Sequence, residues 1–179
     1  HARERIERAG LTDEVTVALA DYRDITGLCD AVASVEMAEA VGEEYWPAFL
    51  GTIARVLKPE GRAALQLISI DDAIFDGYAR NADFIQTYVF PGGMLISEPR
   101  FQAIAEQVGL TWQDRQGYAA HYAETLKRWR ARFDAAVAEG RLPKGFDEHF
   151  HNLWRYYLMY CEGGFLGGGI HARPVTLGE

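Results

Sequence analysis

A strand, an acidic loop, a helix, a tight turn and a second strand read in that order across residues 30–70, DAVASVEMAEAVGEEYWPAFLGTIARVLKPEGRAALQLISI. This succession constrains the fold more than any other feature of the chain. Residues 30–37 form a short, nearly continuous apolar run, the pattern of a strand covered on both faces. Residues 43–57 place Tyr45, Trp46, Phe49, Leu50, Ile53, Val56 and Leu57 at helical spacing, and Lys58-Pro59-Glu60-Gly61 ends that helix in a turn. Residues 62–70 are the next buried strand. Strand, helix and strand with short links make a βαβ unit, so a parallel pairing with a right-handed crossover is expected. Glu36 and Glu39 fall just past the first strand. Ligands of open α/β sheets bind beyond the carboxyl ends of the strands, which marks both carboxylates as candidates for chemistry.

The flanking segments extend the same architecture. Residues 1–10 read as an Arg/Glu-rich helix with opposite charges at helical spacing, ending at Gly10. It lacks an N-cap residue and an initiating Met, so the chain is expected to be the C-terminal part of a longer protein. Residues 14–20 (EVTVALA) have the β-branched character of a strand. Residues 71–98, rich in Asp and aromatics around Phe90-Pro91-Gly92-Gly93, break the rhythm and read as an insertion of helices and loops. A helix over 99–109 and a strand over 110–117 follow. The segment 121–161 holds two amphipathic helices, 122–140 and 146–161. A glycine-rich turn over 162–169 (EGGFLGGG) leads to a last strand over 170–177. That turn lacks the preceding strand and the spacing of a phosphate loop.

Charge and composition exclude several classes. A net charge of −8 argues against nucleic acid as a partner, because phosphate binding needs clustered Lys and Arg. The densest basic run, residues 127–132 (KRWRAR), is read as the solvated face of a helix. Two cysteines, Cys29 and Cys161, lie far apart in apolar surroundings, which fits a reducing cytoplasm rather than a disulfide framework. No apolar run approaches the roughly 20 residues of a membrane span. His149 and His151 sit two apart in a helix and point to different sides, so no metal site is expected.

Several motifs together carry a family resemblance. They are Asp21-Tyr22-Arg23-Asp24, the run from Ser34 to Gly42 (SVEMAEAVG), and the turn Leu57 to Arg62 (LKPEGR). Asp83 to Gly93 (DFIQTYVFPGG), His121 to Leu126 (HYAETL) and Tyr156-Tyr157-Leu158 complete them. In this order they resemble the later part of a class I S-adenosylmethionine-dependent methyltransferase, within the cyclopropane-fatty-acyl-phospholipid synthases and mycolic acid cyclopropane synthases. The resemblance implies an α/β fold: a partial Rossmann-like sheet without its first strands and glycine-rich loop, with a helical acyl-binding insertion. It implies methyl or methylene transfer from S-adenosylmethionine to the cis double bond of an unsaturated phospholipid acyl chain. Bicarbonate is the implied base, inside an apolar tunnel that shields a carbocation.

Carried over by motif, the implied catalytic residues are Glu39, Gln66, Ile68 through its backbone, and Tyr122. The family's His falls at Gln66, which can exchange hydrogen bonds but cannot take a proton. Its Cys has no counterpart here. Tyr22 and Arg23 are the implied adenine edge of the cofactor site, and Glu36 is a further implied cofactor-binding residue. Taken alone, Glu39 reads more readily as a helix cap than as a catalytic group, and a satisfied core amide is the lesser reading of Gln66. The resemblance further implies a cytoplasmic protein peripheral to the inner membrane face, touching lipid through an apolar patch near residues 84–95, with a homodimer admitted. Two alternatives stay open: a small-molecule methyltransferase on the same scaffold, and an inactive fragment or interaction module.

Overall fold

The computed structural model describes residues 1–115 and 117–178. Five strands form one mixed sheet in the order β1-β2-β5-β4, with a short β3 also paired to β2. β1 (Cys29–Val35) and β2 (Leu57–Ile70) run parallel, joined by α2 (Trp46–Val56). β3 (Ile96–Ser97) adds to the end of β2 in parallel, while β5 (Ile170–Gly178) runs antiparallel to both β2 and β4 (Thr111–Arg115). Helices α3 (Asp72–Arg80), α4 (Phe84–Tyr88) and α5 (Glu98–Gln107) lie between β2 and β4 in sequence. α6 (Ala119–Ala138) and α7 (Glu148–Leu166) form a hairpin before β5, and α1 (Ala2–Arg8) opens the chain.

Strand alternation on β2 sorts the core into two layers. Ala63, Leu65 and Leu67 face a cluster with Trp46, Phe49 and Leu50 of α2, Phe75 of α3 and Phe101 of α5. The rings of Trp46 and Phe101 meet edge to face at 5.5 Å, a favoured aromatic geometry. Ile68 and Tyr122 join the second layer, where Ala123 and Leu126 of α6 pack with Leu158 and Phe165 of α7 and Ala172 of β5. Two buried serines tie the layers at the strand ends. Ser69 Oγ donates to Glu98, whose other oxygen pairs with Arg173 at 3.0 Å, and Ser97 Oγ donates to Asp72.

The sequence expectations need four corrections. Residues 14–20 form no strand: the segment has no ladder partner among the described residues, Leu19 is fully exposed, and β-branched side chains alone do not hold a strand without pairing. β1 is not covered on both faces. Its outer edge has no partner among the described residues and α6 and α7 pack over β5, so Ala31, Ala33 and Val35 (67% exposed) face outward. The Lys58–Gly61 turn is absorbed into β2 as a bulge, where the register jumps from Cys29–Leu57 to Ala31–Arg62. Glu60 takes φ 65° there, and a Cβ on Gly61 would stand 2.7 Å from the Lys58 carbonyl, so only glycine fits. The glycine-rich 162–169 segment is mostly helix. α7 continues through Gly163 and Gly164 to Leu166, because the small residues let Ile170 close against it; a Cβ on Gly164 would meet Ile170 Cδ1 at 2.8 Å.

Phe101 is fully buried among Trp46, Phe49 and Trp112. Phe101→Ala is expected to lower the unfolding free energy by about 3–5 kcal/mol. Urea denaturation should show this with little change in slope, whereas Tyr88→Ala at an exposed site should cost less than about 0.5 kcal/mol.

Candidate functional site

The site is built at the carboxyl ends of β1 and β2. Val35 pairs with Gln66, and the next residue, Glu36, turns out of the strand with φ 48° while its N–H donates to the Gln66 carbonyl at 2.9 Å. The left-handed backbone disfavours any side chain with a Cβ. It swings the Glu36 carboxylate back over β2. Glu36 Oε1 there accepts from Gln66 Nε2 at 2.8 Å and from Tyr122 Oη at 2.7 Å. Tyr122 reaches it from the first turn of α6, which is pinned by the Tyr118 N–H donating to the Ala172 carbonyl on β5. Its ring lies 4.7 Å from that of Phe165.

Glu39 follows on a single 3-10 turn (Ala38–Ala40). Its Oε1 accepts from the Ile68 N–H at 2.5 Å, and its own carbonyl accepts from the Met94 N–H at 2.8 Å. Its Oε2 is buried and has no hydrogen-bond partner among the described residues. Burial raises the Glu39 pKa above its ordinary value, against the pull of the Ile68 N–H, and the neighbouring Glu36 charge adds to the rise. An orphaned carboxylate oxygen is costly.

The surrounding groups hold their protons. Burial raises the Tyr122 pKa, and its hydrogen bond to Glu36 raises it further. Burial also pushes Tyr157 up to about 12 and the Cys161 thiol up to about 11. α7 also borders an open, mostly apolar cleft of about 590 Å³. Its walls include Ile70, Ile74, Tyr78, Leu95, Tyr160 and Gly164, and its size falls within the usual range of small-ligand sites, roughly 300–1,000 Å³. The α4–α7 junction shows an aromatic surface. Phe84 stacks edge-on to Tyr156 at 4.6 Å, Phe90 approaches Tyr157 at 6.0 Å, and Tyr88, Phe90, Tyr156 and Met159 are half or more exposed.

The residues singled out by sequence divide into three places. Gln66 and Tyr122 converge on Glu36, and Ile68 converges on Glu39. Tyr22 and Arg23 sit apart on a 3-10 turn (Tyr22–Asp24), where the Tyr22 ring packs edge-on against Phe49 of α2 and Arg23 forks onto Asp21 at 2.7 and 2.9 Å. No hydrogen bond or ring contact among the described residues joins them to Glu36. Tyr157 lies in the Tyr156-Tyr157-Leu158 motif, within an aromatic run that the sequence reading takes as partly acyl-lining, while Cys161 and the glycines of α7 escaped sequence reasoning as site residues. The hydrogen bonds that bicarbonate would take from Gln66 and Tyr122 go to Glu36, so these residues as arranged do not fit a separate bicarbonate ion.

Comparisons with known proteins bear on the family and the fold. A family model described as mycolic acid cyclopropane synthetase matches residues 1–173. The tuberculostearic acid methyltransferase UfaA1 of Mycobacterium tuberculosis is 39% identical over 98% of this chain and 41% of its own length. The cyclopropane-fatty-acyl-phospholipid synthase of Escherichia coli is 35% identical over 98% of this chain and 43% of its own. The crystal structure of the mycolic acid cyclopropane synthase CmaA1 complexed with SAH and CTAB superposes with TM-score 0.83 at 26% identity, covering 98% of this chain and 66% of that one. A sarcosine dimethylglycine methyltransferase from Galdieria sulphuraria, at 17% identity and TM-score 0.78, shares the fold. The chain therefore spans about two fifths of the length of these curated relatives.

The raised Glu39 pKa gives a signed prediction. Between the ordinary and the raised value the folded state holds a proton that the unfolded state releases, so stability falls as pH rises through that window. Glu39→Gln keeps an acceptor for the Ile68 N–H and removes the charge. It is expected to be about 1 kcal/mol more stable than the parent near pH 8, with the gain fading toward about pH 4. Thermal melts at both ends of that range check it, and a gain independent of pH would contradict the burial argument.

Proposed function

The chain belongs to the mycolic acid cyclopropane synthetase family, and on that premise we propose that the intact gene product methylates unsaturated lipid. The reaction is transfer of a methyl group from S-adenosylmethionine to the cis double bond of a phospholipid acyl chain. The observation that carries this reading is the carboxylate pocket at the ends of β1 and β2, closed by Tyr122 of α6, whose ring packs on Phe165 of α7, the helix that also borders an apolar cleft. An alkene that attacks a methyl cation equivalent leaves a carbocation. The protein must then keep water away and hold a base nearby. Bound S-adenosylmethionine supplies an electrophilic methyl group on a sulfonium centre.

This chain's own residues have three tasks in that scheme. Tyr22 fits the adenine edge of a cofactor site, since its half-buried ring is braced by Phe49 and fixed by the neighbouring Arg23–Asp21 pair. Residues 71–98 and 121–161 form the acyl-binding part, with Ile74, Leu95 and Tyr160 along the cleft wall. The exposed Tyr88, Phe90, Tyr156 and Met159 give an aromatic contact with the inner face of the cytoplasmic membrane, where such rings favour the interface. No helix among the described residues is long and apolar enough to cross a membrane. With a net charge of −8, contact through apolar side chains is favoured over a basic stripe.

Expression of the intact gene in a bacterium rich in unsaturated phospholipid is expected to yield acyl chains one methylene unit heavier by mass spectrometry. Unchanged lipids alongside a methylated small metabolite would refute the acceptor. Phe90→Asp is expected to weaken liposome binding by about tenfold, the loss of one buried aromatic contact worth about 1.4 kcal/mol. Binding unaffected by that change would remove the proposed membrane surface.

A further inference from the structure

We propose that Glu36 is the base of this site and occupies the place of a bicarbonate ion, so that the enzyme needs no bicarbonate. This rests on the acyl methyl transfer reading above. The geometry is direct. A carboxylate and bicarbonate share a planar O–C–O group with one negative charge, and the same donors recognise both. In this chain Gln66 Nε2 and Tyr122 Oη, two of the donors implied for the ion, are bonded to Glu36 Oε1 at 2.8 and 2.7 Å. A second anion would compete for those donors and would meet the charge of Glu36 and the orphaned oxygen of Glu39.

The backbone supports the assignment. Glu36 is one of two non-glycine residues among those described with positive φ, at 48°. Glycine would hold that conformation without strain. A strained residue kept by its surroundings is a pointer to function when observed directly. Here the surroundings are specific: Gln66 binds Glu36 twice, through its carbonyl to the Glu36 N–H and through its side chain to Oε1. The two anchors fix the carboxylate against β2 and leave Oε2 without a hydrogen-bond partner among the described residues.

The other candidates for the base are poorly placed. Gln66 takes no proton. Tyr122, Tyr157 and Cys161 are kept protonated by burial, and Glu39 is pushed toward its neutral form. The step balances with Glu36 alone. The alkene π pair forms the new C–C bond to the methyl carbon as the S–CH₃ bond breaks, leaving neutral S-adenosylhomocysteine and a carbocation. A C–H bond of the new methyl group, or of the adjacent chain carbon, then breaks. Its electron pair closes a cyclopropane ring or forms a double bond, and the proton passes to Glu36 Oε2. The neutral carboxylic acid returns that proton to water after product release.

The test compares the intact gene product with Glu36→Gly and Glu36→Gln, each checked for folding by thermal melt. Glycine suits the left-handed backbone, so Glu36→Gly is expected to fold. In buffer freed of carbon dioxide, the parent is expected to keep its methylation rate. Both variants are expected to lose it by about 100-fold or more, the range of a general base. Added bicarbonate should rescue Glu36→Gly, which opens the place, and not Glu36→Gln, which still fills it. A parent rate that collapses without bicarbonate, or a Glu36→Gly rate that survives without it, overturns the proposal. Binding gives an independent readout. ¹³C-labelled bicarbonate is expected to broaden in NMR spectra with Glu36→Gly and not with the parent; equal broadening by the parent overturns the proposal whether or not lipid is methylated. Absence of lipid methylation by the parent, with that binding contrast intact, would instead refute the acyl acceptor.

Discussion

One backbone hydrogen bond organises the site: the Glu36 N–H to the Gln66 carbonyl, one step beyond the last paired residues of β1 and β2. It extends the parallel ladder into the acidic loop and forces the chain to leave the strand with a left-handed turn. Everything nearby follows from that exit. The carboxylate of Glu36 folds back over β2 toward Gln66. The next turn carries Glu39 to the Ile68 N–H, and the Glu39 carbonyl then fixes the Met94 N–H of the 71–98 segment. The 71–98 segment is thus tied to the strand ends through the same loop that carries the acids.

The electrostatics of the pocket divide its members by role. Two carboxylates share one small region in different surroundings. Glu36 is met by two donors on one oxygen, while Glu39 has one donor, one orphaned oxygen and a pKa raised by burial. Tyr122 acts as a donor in this scheme, and its position depends on packing from α7 through Phe165 as well as on its hydrogen bond.

Much of this fold is legible from residue order. The helical spacing from Tyr45 to Leu57 and the apolar alternation after Arg62 mark α2 and β2 correctly, because both patterns record local burial. The exposed face of β1 is not legible, since an apolar strand reads the same whether or not a neighbour covers it. The helical glycines at 163 and 164 read as a turn because glycine's low helix propensity is a local quantity, and the close approach of Ile170 that favours them is not. Motif resemblance gathers Glu39, Gln66, Ile68 and Tyr122 into one pocket. How the donors are shared depends on one dihedral angle, φ of Glu36, which no spacing rule encodes.

The bond between Tyr122 and Glu36 is the element on which the account stands, and the ionisation of the Tyr122 phenol reports it most directly. A hydrogen bond to a carboxylate stabilises the protonated phenol and raises its pKa, in addition to the effect of burial. With ¹³Cζ-labelled tyrosine, NMR titration of the parent should show Tyr122 still protonated well above the range of an ordinary phenol. In Glu36→Gln the same resonance should titrate at distinctly lower pH. A Tyr122 titration unchanged by Glu36→Gln would mean that the two groups are not joined, and the carboxylate would not occupy the place assigned to it.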